Sequence, residues 1–120
     1  MILQACLDEV VRLGADDWLD ASSVASVAIT VGRAASVNAI RDLSIRVIAE
    51  AVRRGLMEVG ELDDRIRGFR KWPMTADRAL ARIQTEWEAL GRNPSVGEVC
   101  WLANTRDGDS LAKALSAGRR

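Results

Sequence analysis

The chain has 120 residues, 48% of them apolar, and its 17 Lys and Arg balance 17 Asp and Glu. That length fits a single domain, 1–120, able to bury about two-thirds of the surface its unfolded form exposes; the even balance leaves no overall field to draw it onto nucleic acid or an anionic membrane. It has neither histidine nor tyrosine, which removes the usual near-neutral general base, the Ser-His and Cys-His pairs and the commonest zinc ligand.

Residues 2–13 place Leu3, Cys6, Leu7, Val10 and Leu13 at helical spacing, with Gly14 as the stop. Asp16 and Asp17 precede a second periodic segment, and Asp20 is its N-cap: residues 21–31 carry Val24, Val27, Ala28 and Val31 on one face before Gly32. The strongest helix follows over 37–54, where Ile40, Leu43, Val47, Ile48, Ala51 and Val52 form an apolar stripe that Gly55 ends. Residues 56–62, LMEVGEL, then read as a short half-buried strand. GFRKWP is expected to be irregular because Trp72 precedes Pro73.

Thr75 caps a fourth helix over 76–90, with Leu80, Ile83, Trp87 and Leu90 inward and Gly91 closing it. RNPSVG is a turn, 97–103 a strand buried on both faces, 104–109 a turn, and 110–117 a last short helix. The expected fold is therefore α+β and mostly helical, with about five helices around a two-stranded sheet and a partly winged-helix-like order. Trp18, Trp87 and Trp101 are expected to be buried, Trp72 the least so. The longest apolar-and-small run, 24–31, is too short to span a bilayer, and no signal peptide is visible, so a cytoplasmic protein is expected.

Cys6 and Cys100 both sit in apolar surroundings and read as buried thiols. The carboxylates lack the spacing of a Mg²⁺ or Ca²⁺ site, and GRNPSVG lacks both the Walker lysine and the Rossmann glycines. No catalytic residue, metal, cofactor or small-molecule substrate is expected.

The distribution of charge is more informative than its total. Residues 1–30 hold five acids against Arg12 alone, and 58–64 hold Glu58, Glu61, Asp63 and Asp64 with no base. Bases fill the middle: 65–82 carry six against Asp77, beginning with Arg65, Arg67, Arg70 and Lys71 around Phe69 and Trp72. Cations interleaved with rings suit phosphates and stacked bases, and two helices followed by a strand suit a winged helix. Against that, the third helix offers only Asn38 and Ser44 near its start as base-reading side chains. Separate acidic and basic faces fit a complementary protein partner better than a polyanion.

GLMEVGEL, GFRKWPM and ALARIQTEWEALGRNPSVGEVCWLANTRDG, taken in order, resemble a family of small bacterial single-domain proteins over about residues 43–108. These resemble the immunity proteins found beside polymorphic and contact-dependent growth-inhibition toxins. The resemblance implies a cytosolic inhibitor that covers a cognate toxin's active-site face, with no chemistry of its own. Asp16, Asp17, Asp20, Glu58, Glu61, Asp63 and Asp64 are then the expected phosphate mimics toward a nuclease toxin. Arg65, Arg67, Arg70, Lys71 and Trp72 form the second candidate contact; a DNA-binding winged helix is the alternative.

Overall fold

The computed structural model describes residues 1–118 and orders the chain as α1 (Ile2–Gly14), β1 (Leu19–Asp20), α2 (Ala21–Thr30), α3 (Val37–Arg53), β2 (Met57–Asp63), β3 (Gly68–Lys71), α4 (Ala76–Leu90), β4 (Trp101–Asn104) and α5 (Arg106–Ala117). The class is α+β as expected, but the sheet has four antiparallel strands rather than two, in the order β1-β4-β2-β3. Pairing places Leu19 and Val59 on either side of Leu102. With Met57 they form the sheet face that is buried in a single apolar cluster with the helices. The other face carries Glu58, Leu62, Phe69, Lys71 and Trp101.

Both missed strands are made by partners rather than by local pattern. β1 is two residues long and exists only because β4 lies beside it. β3 falls in the segment expected to be irregular: Pro73 restricts only Trp72, and Gly68–Lys71 before it are extended because they pair with β2. There Leu62 faces Phe69 and Glu61 faces Arg70 across the hairpin. Conversely, only 101–103 of the expected strand 97–103 pairs, and the pairing runs on to Asn104. Of the turn expected at 104–109, Asn104 ends β4 and 106–109 is already helix, because the Thr105 hydroxyl accepts from the Gly108 N–H and starts α5 early.

Asp20 and Thr75, the N-caps expected from sequence, each accept a backbone N–H of the first helical turn, and Ser36 does the same for α3. Gly55 and Gly91 take the left-handed conformation expected of helix stops. Gly32 does not; a Cβ there would lie 2.4 Å from Leu43 and 2.7 Å from the Ala28 carbonyl, so the position is small because α2 and α3 close over it. Arg33 takes the left-handed turn instead, at φ 57°. Among the described residues no helix is long and apolar enough to cross a membrane.

Candidate partner-binding surface

The β2–β3 hairpin carries most of the charged residues singled out in the sequence, and its register sets them against one another. Arg70 lies 3.1 Å from Glu61 and 3.4 Å from Asp63, Lys71 lies 3.2 Å from Glu58, and Arg65 lies 3.4 Å from Asp63. Acidic GELD and basic RIRGFRK are thus two strands of one ribbon, not two separate faces. Glu58, Glu61, Asp63, Arg70 and Lys71 are spent on the hairpin, and the Arg65 backbone N–H in particular holds the Asp63 carboxyl below the usual range. At Gly60 a Cβ would meet the Arg70 carbonyl at 2.1 Å, so only glycine permits this close crossing.

Two further expectations are corrected. Trp72 is no exposed contact: it is 4% exposed, with the Arg82 guanidinium 3.9 Å above its ring. It follows the last residue of β3, and its backbone N–H donates to the Val59 carbonyl, which continues the strand pairing and leaves the ring on the core side. Asp20 is no surface acid either: its carboxylate accepts from the hydroxyls of Ser22 and Ser23, the Ser23 N–H and, at 2.7 Å, the Gly97 N–H. Burial alone would raise its pKa; those hydrogen bonds outweigh burial and hold it below the usual range. Trp87 is buried as expected, Trp101 is partly exposed, and Trp18, expected inside, is 41% exposed.

Trp18 marks the surface that remains open. Its ring rests beside the end of the hairpin, where a Cβ on Gly68 would lie 3.8 Å from Cη2. Leu62 and Ile66, on the same hairpin, are 38% and 59% exposed. On the other side of Trp18 a hollow of about 320 Å³ is lined by Asp16, Asp17, Asn104 and Asp109. Among the described residues no cation comes within ion-pair distance of Asp16, Asp17, Asp64 or Asp109. Arg67, in the turn with φ 51°, likewise makes no ion pair among them. Of the expected contacts, this corner gathers Asp16, Asp17, Asp64, Arg65 and Arg67, and it adds Trp18, Leu62 and Ile66. The sequence did hold a signal for the last two: both are apolar residues inside the polar turn ELDDRIRG.

Neither thiol is poised as a nucleophile. Cys6 is raised by burial, and burial, then the charges of Asp20 and Glu86, push Cys100 up to about 12. Cys100 borders a cleft of about 560 Å³ between α4 and residues 97–101, whose wall includes Glu61, Arg82, Glu86 and Glu98. Each of these is already paired, with Arg70, Glu86, Arg82 and Arg92 respectively. Among the described residues no group of acids and thiols is arranged to hold a metal ion. No protein-family model, curated protein or solved structure matches the chain.

Proposed function

We propose that this chain acts by binding another protein, as the cytoplasmic immunity partner of a bacterial toxin domain. The observation that carries the reading is the corner where Trp18 meets the β2–β3 hairpin: an aromatic ring and two aliphatic side chains stand exposed among carboxylates that have no ion-pair partner among the described residues. Aromatic anchors ringed by polar groups are how protein interfaces concentrate affinity. Such carboxylates at the rim would guide a basic toxin face and mimic the phosphates of its substrate. The hairpin's cross-strand ion pairs brace that surface before the partner arrives, which lowers the ordering cost of docking. Two thiols held protonated by burial fit a protein that inhibits without chemistry of its own.

Coexpression with the toxin-like products of neighbouring genes tests this. The expected result is rescue of growth and a saturable one-to-one complex; growth arrest with no complex would refute it.

The order α2, α3, β2, β3 favours a second reading, a winged helix whose wing is the hairpin turn with Arg65 and Arg67. Weighing against it, α3 packs on α1, α2 and α4 and has little free face to enter a groove. A duplex binder should lose affinity as salt rises, with a log–log slope of about −0.9 per contacted phosphate.

A further inference from the structure

Residues 95–100 run from buried Pro94 to buried Cys100, while Ser95, Val96 and Gly97 between them are exposed. Val96 is 80% exposed, so its side chain contributes almost nothing to holding the segment. Two tight turns follow one another. The Glu98 N–H donates to the Ser95 carbonyl with Gly97 at φ 83°, the position of a type II turn that demands positive φ. The Cys100 N–H then donates to the Glu98 carbonyl, a γ-turn whose central residue is Val99 at φ 72°. This form of γ-turn is rare and strained, and a β-branched residue is the least suited to it. Such geometry persists only where the surroundings impose it. The clamps here are two carboxylates: Asp20 takes the Gly97 N–H, and Glu98 accepts from both Arg92 Nη atoms at 2.8 and 3.0 Å and from the Ser95 N–H.

We infer that residues 95–100 form a strap under tension that opens locally, ahead of the rest of the fold, and uncovers Cys100 together with the wall of the 560 Å³ cleft beside α4. Strain in the closed strap lowers the work of opening it, and exposed Val96 adds no burial to oppose release. The cleft is thereby bounded by a wall that moves, whereas its α4 wall is regular helix.

The two cysteines supply the test, because Cys6 lies wholly buried in α1, away from the strap. Native full-length protein is treated with iodoacetamide, and the modification of each thiol is followed separately by peptide mass spectrometry. Cys100 is expected to react faster than Cys6. Gly97→Ala puts a side chain into the left-handed turn, with only the Trp101 ring edge near it at 4.0 Å. It should speed Cys100 labelling about fivefold with Cys6 unchanged. Glu98→Gln, which weakens the Arg92 clamp, should act in the same direction with a smaller factor. Equal rates for the two thiols in the parent chain, or variants that leave Cys100 unchanged or speed both thiols alike, would overturn the strap.

Discussion

Two acidic runs in this chain, DDWLD at 16–20 and GELDD at 60–64, look alike in sequence and are used in opposite ways. In the second, β3 returns antiparallel and delivers Arg70 onto Glu61 and Asp63, with Lys71 on neighbouring Glu58, so the charge of Glu61 and Asp63 is consumed inside the ribbon. In the first, one carboxylate turns inward and two stay outside: Asp20 becomes a helix cap and a pin for Gly97, while Asp16 and Asp17 stand beside an exposed tryptophan with no ion pair among the described residues. Electrostatic reach follows from what each acid is paired with in space.

The same opposition divides the tryptophans, and it yields the largest expected effect. Trp72→Ala removes a fully packed ring and the platform of Arg82, and should cost about 3–5 kcal/mol in urea unfolding. Trp18→Ala should cost less than about 1 kcal/mol there, because that ring is largely in water. Equal losses in the two variants would erase the distinction between core and contact.

Next comes Asp20→Ala, expected to cost about 2–3 kcal/mol, since it removes the cap of α2 and strands the Gly97 N–H. The pH dependence runs in the same sense. The folded carboxyl of Asp20 lies below its unfolded value, and that of Glu98, held chiefly by Arg92, lies at about 2. Their contributions are therefore complete above the ordinary carboxyl range and are lost as pH falls through the folded values. Glu98→Gln should flatten the unfolding midpoint between about pH 4.5 and pH 2. A variant with the parent's slope in that window would contradict the Arg92 pairing.

Smaller still, Glu61→Lys places like charges opposite Arg70, and a loss of about 0.5–1 kcal/mol is expected, shrinking at high salt. Asp16→Lys and Asp17→Lys should change stability by no more than about 0.5 kcal/mol. Their effect belongs to association, where a steering charge changes the on-rate.

Local signals were enough for the helices and for the caps at Asp20 and Thr75, because a stripe such as Ile40 to Val52 and a cap such as Thr75 act within a few residues. The edge strands were not legible. β1 needs Leu102 and β3 needs β2, and both partners are supplied by pairing that a propensity scan does not contain. Gly108 read as a turn residue for the same reason: its smallness answers to the Leu56 carbonyl, which a Cβ would meet at 2.1 Å. The candidate surface was half legible. The right residues were in view at 16, 17, 64, 65 and 67, but the cancellation of the hairpin charges and the exposure of Trp18 depend on register.

The most direct test of the account is the association rate with the cognate toxin, measured for two double variants of equal charge change. Asp16→Lys with Asp17→Lys should slow binding about tenfold at low salt, and the deficit should close as salt rises. Glu58→Lys with Glu61→Lys, on the self-neutralised ribbon, should leave the rate within about twofold of the parent. A slow hairpin variant beside a normal Asp16/Asp17 variant would contradict the account and place the contact on the ribbon.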